Sequence, residues 1–198
     1  MVMSANRGSV PGAVPPGLVS EWRPGRATTL VWAILGSTMA IVGFFVYGSI
    51  ALGKPLPTNS WSISINFIEL ALEIALIFGL GAIHEGVHGV VMIACGAKPE
   101  FGILRLEGMP AGFYATAPGH RFGRGAYLLI CFAPLVVLAP LGIPLCLLPF
   151  GAYLVVPFAV HLGGCIGDMT IALHVLRGPR DVVVEDMRDG MRLWRAEA

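Results

Sequence analysis

The stretch AIHEGVHGVVM, from Ala82 to Met92, puts two histidines and a glutamate inside an otherwise apolar run. Ionisable side chains in such a place are costly, and where they occur they usually serve a function. The run belongs to a longer apolar segment, from about Ile65 to Ala97. Crossing a bilayer takes about 20 helical residues, so this segment is long enough to span. Three other segments qualify, from about Thr28 to Leu52, Ala126 to Leu148 and Ala152 to Leu176. Pro149 and Gly151 mark a tight turn between the last two.

Composition agrees with four spans. Of the 198 residues, 56% are hydrophobic and only 13% are charged, against about a quarter charged in soluble domains. The sequence therefore predicts an all-α integral membrane protein with four transmembrane helices. The net charge of +1 and the lack of a basic cluster with interleaved aromatics set nucleic-acid binding aside. Cys95, Cys131, Cys146 and Cys165 all lie in apolar segments with no C-x-x-C pair, and read as small buried hydrophobes.

Positive charge orients the spans. Of the 13 Lys and Arg residues, only Lys54 lies between the first two spans. The others precede the first span, separate the second from the third, or follow the fourth. By the positive-inside rule, both termini and the middle loop face the cytoplasm of a multi-pass cell-membrane protein. Residues 1–27, rich in Pro, Gly and Ser, read as a flexible cytoplasmic tail. Residues 28–178 form the membrane body. Residues 179–198 form a second cytoplasmic tail, with an amphipathic surface helix as one form open to it. In the middle loop, Phe101 to Thr116 alternates and turns through Gly108-Met109-Pro110-Ala111-Gly112. It reads as a short cytoplasmic-side β-hairpin or an irregular loop.

His84-Glu85-Gly86-Val87-His88 matches H-E-x-x-H. On a helix, residues four apart lie about 6 Å apart along the axis and about 40° apart around it. Both imidazoles can then face one metal ion, with Glu85 placed to take a proton from a metal-bound water. A catalytic zinc needs a third protein ligand. Asp168 is the only aspartate within a span. By helix rise it lies at the depth of His88, about 13–15 Å from the cytoplasmic helix ends. A carboxylate that pairs helices is the other reading of Asp168. Gly163 and Gly167 form a G-x-x-x-G step beside it, expected to let its helix approach the second span closely.

His161, two turns from Asp168, is a candidate for oxyanion stabilisation, substrate orientation or metal ligation, or is a buried hydrogen-bonded histidine. Glu69 and Glu73 lie too far along the second span to ligate, and read as interfacial or cavity-lining groups. His174 reads as interfacial and His120 as solvated.

With H-E-x-x-H on one span, Ala133-Pro134 near the start of the third and Gly167-Asp168 in the last, the chain resembles the small bacterial membrane zincin metalloproteases. More distantly it resembles the site-2 type of intramembrane zinc proteases. The resemblance covers about residues 65–178. It implies His84, His88 and Asp168 as zinc ligands, Glu85 as general base, and a membrane-edge strand that holds an extended substrate. Site-2 proteases usually carry Asn-Pro-Asp-Gly or Leu-Asp-Gly at the third ligand. Here Gly167 precedes the aspartate and Met169 follows it, and His161 is the candidate to replace the missing Asn. The expected activity is zinc-dependent hydrolysis of peptide bonds in membrane-associated or transmembrane-segment substrates. Two alternatives differ in class: a catalytically inactive membrane scaffold, and a haem protein ligated by His84 or His88 with His161.

Overall fold

The computed structural model describes residues 16–53, 66–106, 109–188 and 190–196. Four helices form the body: α1 (Arg26–Leu52), α2 (Phe67–Ala94), α3 (Arg124–Cys146) and α4 (Val155–Arg177), the last entered through a 3-10 turn at Gly151–Leu154. All four are long and apolar enough to cross a membrane. Asn66 caps α2, its side chain accepting from the Ile68 amide at 3.0 Å, which meets one of the amides a helix start leaves unpaired. Gly53 ends α1 in the left-handed region, with φ 63°.

The chain is not all-helical. Of the hairpin and the irregular loop left open between the second and third spans, the strands form: β2 (Glu100–Leu106) pairs with β3 (Met109–Thr116), with Glu100 opposite Thr116 and Phe101 opposite Ala115. A second, four-stranded antiparallel sheet has the order β1-β6-β5-β4. Its strands are β1 (Leu18–Trp22), β4 (Arg121–Gly123), β5 (Val182–Met187) and β6 (Gly190–Arg195). Residues 18–22, 182–187 and 190–195, read from the sequence as parts of two tails, are thus joined in one sheet. The amphipathic helix does not form. Val182, Val183 and Val184 favour a pleated strand, and Val182 and Val184 are buried while Val183 is half-buried. On β6, buried Met191 and Leu193 flank half-buried Arg192. Arg192 donates to Glu21 on β1 at 2.7 Å, and Trp194 Nε1 donates to Glu185 on β5 at 2.8 Å.

The sheet caps the end of the bundle where α2 ends and α3 begins. One core joins the two layers: Met92, Tyr127, Ile130, Ala172 and Val175 from the helices pack with Phe122, Val184 and Met191 from the strands. A smaller core of Tyr47, Cys146, Val155 and Phe158 closes the far end. There the Tyr47 hydroxyl donates to the Ala139 carbonyl at 2.9 Å.

Glycine decides how the helices meet, and the G-x-x-x-G step works differently from the expectation. A Cβ at Gly163 would stand 2.5 Å from the Gly36 carbonyl oxygen, so Gly163 seats α4 on α1 and not on α2. Gly167 has open space around it. On α2, Gly81, Glu85 and Gly89 recur every fourth residue and share one face. A Cβ at Gly89 would run into the Phe101 ring, and one at Gly81 would lie 3.6 Å from the Phe113 ring. The hairpin therefore lies along α2 with its aromatic rings on either side of Glu85.

Candidate metal centre

His84 and His88 fall on neighbouring turns of α2 and point their outer nitrogens the same way, with Nε2 to Nε2 at 3.1 Å. Asp168 enters from α4. Its Oδ2 lies 3.2 Å from His84 Nε2 and its Oδ1 lies 3.4 Å from His88 Nε2. The three residues expected to ligate a metal are thus brought together from two helices.

This donor set suits a divalent metal. Two imidazoles and one carboxylate are a known catalytic zinc combination, with a further position left for water or substrate. His84 and Asp168 offer donors within 4.8 Å of those of His88. Asp168 Oδ2 is buried and accepts no hydrogen bond of good geometry, although a buried carboxylate oxygen normally has a partner. A cation beside it would satisfy that oxygen.

Glu85 lines both chambers with Asp168 and also reaches the hairpin. Its Oε2 accepts from the Ala115 amide at 2.8 Å. In an antiparallel pair the amide and carbonyl of one residue point to the same side. The Ala115 amide is used by Glu85, so the outer edge of β3 borders the site. Sequence reading offered the hairpin as one of two forms and did not anticipate this bond.

The inner nitrogens of the histidines are also held. His88 Nδ1 donates to the Ile130 carbonyl on α3 at 2.9 Å. His84 Nδ1 lies 3.2 Å from His161 Nδ1. His161 is 7% exposed. It also lies within hydrogen-bonding reach of the Pro134 backbone and has Cys165 Sγ 3.7 Å from its Nε2. Cys165 is therefore more than a small hydrophobe, for His84, His161 and Cys165 form a second group of potential ligands. The rings of His84 and His88 have centroids 4.8 Å apart, and those of His84 and His161 5.2 Å apart.

Two chambers meet at the site, and Glu85 and Asp168 line both. One, of about 530 Å³, lies beneath the four-stranded sheet and is bordered by Trp22, Arg23, Asp186 and Arg188. The other, of about 350 Å³, lies between α2 and α4 and is bordered by Phe78, Phe113 and Val160. Phe78 and Val160 are exposed on the flank of the bundle.

Asp186 is a residue of the sheet-side chamber that sequence reading assigned to a tail. The Tyr127 hydroxyl donates to its Oδ1 at 2.6 Å. Burial pushes its carboxyl above the usual range, opposed by the Tyr127 hydrogen bond and by the nearby Thr116, His88 and Ala117 backbone. Nothing local in its sequence marked it, since it reaches the site only through β5. The other candidates lie elsewhere. His174 stacks on Trp22 with centroids 4.3 Å apart and donates from Nδ1 to the Thr170 carbonyl. His120 packs on Phe122. Glu69 and Glu73 line neither chamber.

The model of one protein family, described as "Putative zincin peptidase", matches residues 77–183. The match takes in all four residues of the proposed centre, His161, the hairpin and the start of β5. No curated protein and no solved structure gives a significant match.

Proposed function

The chain belongs to that zincin peptidase family, and from this premise we propose that it is a membrane-embedded zinc peptidase that hydrolyses membrane-associated peptides. His84, His88 and Asp168 would hold the metal and Glu85 would act as general base. The observation that carries this is the convergence of three donors and a separate carboxylate where the two chambers meet. Family membership implies zinc; zinc, when bound, supplies a Lewis acid that acidifies water and polarises a carbonyl.

The remaining work falls to the chain. Glu85 takes a proton from the attacking water at its carboxylate as the oxygen bonds to the peptide carbonyl carbon. It then passes that proton to the departing amine nitrogen, so the carboxylate is regenerated. The Ala115 amide holds Glu85 in one orientation, which spares the cost of ordering it during reaction.

The two chambers suit a substrate at a membrane boundary. The flank chamber admits an apolar segment, and the sheet-side chamber admits water and the polar continuation. An extended segment can pair with the outer edge of β3. A helical segment hides its carbonyls, so substrates carrying Gly or Pro near the cut are favoured. The positive-inside pattern supports a cytoplasmic sheet-side chamber in a cell-membrane protein.

The test uses the full chain in detergent, zinc-loaded, with single-span peptides that carry or lack a Gly-Pro pair near one end. Wild type is expected to cut the Gly-Pro peptide faster, and Glu85→Gln to cut neither. Zinc retained without hydrolysis of any peptide, or hydrolysis unaffected by Glu85→Gln, would sink the peptidase reading and favour the scaffold.

A further inference from the structure

We infer that Pro134 is a positioning residue for the metal centre: it makes α3 the common anchor for the inner nitrogens of both metal-facing histidines. This rests on the metal-site reading above and adds residues that reading does not use.

Pro134 lies inside α3 and is fully buried. In a helix, the amide of residue i normally bonds the carbonyl of residue i−4. Proline has no amide hydrogen, so the carbonyl four residues back loses its helical partner. That carbonyl belongs to Ile130, the one that receives His88 Nδ1. A buried carbonyl left unpaired is costly, and here an imidazole from α2 takes the place of the missing amide.

The second anchor follows the same helix. Proline can only accept through its backbone, so where the His161 ring approaches the Pro134 backbone the imidazole would be the donor. The inferred arrangement puts that proton on Nε2, which lies 3.7 Å from Cys165 Sγ, and so leaves Nδ1 as an acceptor. It faces His84 Nδ1 at 3.2 Å, so His84 donates from Nδ1. Each metal-facing histidine then carries its proton on Nδ1 and turns a lone pair on Nε2 towards Asp168 and its neighbour. A metal-binding histidine whose other N–H is held by a carbonyl or another acceptor has its tautomer and ring plane fixed. His88 is held by α3 directly, and His84 is held by α3 through His161. His161 thereby acts through His84 and need not touch substrate.

The alternative for the second cluster is a second ion bridging His84, His161 and Cys165. It would require His84 to give up both ring protons. The hydrogen-bond chain satisfies the same atoms with neutral imidazoles.

The experiment measures zinc affinity by chelator competition on the full-length protein in detergent, together with the visible spectrum of the cobalt-loaded form and the melting temperature of the metal-free form. The variants are Pro134→Ala, His161→Leu and His161→Asn, with His88→Ala as the control for the site itself. Losing the partner of a metal-bound histidine typically costs about 10–100-fold in affinity. Pro134→Ala and His161→Leu are expected to weaken zinc binding in that range and to shift the cobalt bands. His161→Asn, whose side-chain oxygen can replace Nδ1 as acceptor, is expected to recover much of the loss. Pro134→Ala is expected to leave the metal-free melting temperature unchanged or higher, because alanine suits a helix interior better. A merely structural proline would, on replacement, lower the melting temperature and leave the affinity alone.

Wild type binding one zinc, lost in His88→Ala, with Pro134→Ala and His161→Leu within about twofold of wild type, overturns this inference and leaves the metal site standing. Two zinc ions per wild-type chain, one of them lost in Cys165→Ser, also overturn it. A wild-type chain that binds no zinc removes the metal site and this inference with it.

Discussion

Helix α4 meets its neighbours along two seams of opposite character. Against α1, Gly163 faces Gly36, and Gly43 faces Ala159 and Leu162, so closely that an added Cβ at any of these glycines would collide. Against α2, the same helix offers His161, Cys165 and Asp168 to His84 and His88, with a chamber of about 350 Å³ alongside. The first seam gains from backbone contact and excludes everything else, as small residues do between membrane helices. The second gives up close packing and keeps polar groups around a shared centre. One helix can do both because residues 163 and 168 fall on different faces. The tight seam is what holds the loose one at a fixed width.

That contrast can be broken most forcefully on the α2 side. Glu85→Gln is expected to lower peptide hydrolysis by about 10²–10⁴-fold, the usual share of a general base. Bound zinc and melting temperature should stay near wild type. Turnover assays beside metal analysis check this, and Asp168→Ala should differ by losing the zinc as well.

The next effect is on the hairpin that meets Glu85. Gly89→Ala would push the Phe101 ring off α2 and move β3 with it. Turnover is expected to fall about tenfold or more, since small displacements of positioned groups are expensive. Zinc affinity should change little. Gly86→Ala, with open space around that position, is the matched control in the same kinetic assay.

The α1 side should respond in stability. Gly163→Leu is expected to cost about 1–3 kcal/mol through overpacking, read as a lower melting temperature, while zinc per folded chain stays the same. Gly167→Ala, four residues on with nothing nearby, should be neutral or stabilising by up to about 1 kcal/mol. Equal effects at the two glycines would refute the assignment of the step to the α1 seam.

The smallest effect concerns the cap. Asp186 has its carboxyl raised by burial, so it stabilises the folded state fully below the ordinary carboxylate pKa. That contribution is lost as pH rises through the raised value. The groups around it are Tyr127 on α3, Thr116 and Ala117 at the end of β3, and His88 on α2. Asp186→Asn carries no such charge. Melting curves from about pH 4 to about pH 8 should therefore show wild type losing ground to the variant as pH rises. A constant difference would exclude the effect.

Much of the centre was legible because its first part is local. Four-residue spacing on a helix decides by itself that His84 and His88 share a face. Asp168 could be singled out because no other aspartate lies within a span and its depth matched. The sheet was hidden for the opposite reason. β1 and β6 are joined across 171 positions, as in the Arg192 to Glu21 bond, and short mixed strands carry little periodicity of their own. The direction of Gly163 was hidden too, since a small residue allows close approach without saying to which helix.

By itself, then, the sequence determined four apolar helices and a pair of histidines with a glutamate between them, and left the loop between the middle two as a hairpin or an irregular loop. Backbone hydrogen bonding makes these local outcomes, fixed within a few residues. Only the tertiary structure decided that Asp168 meets that pair, that Ala115 holds Glu85 and that Ile130 and His161 hold the histidines. It also decided that β1, β5 and β6 border the sheet-side chamber. These contacts join residues 30 to 84 positions apart within the site (Glu85 to Ala115, His84 to Asp168). Packing of whole helices, and not local propensity, selects which distant groups become neighbours.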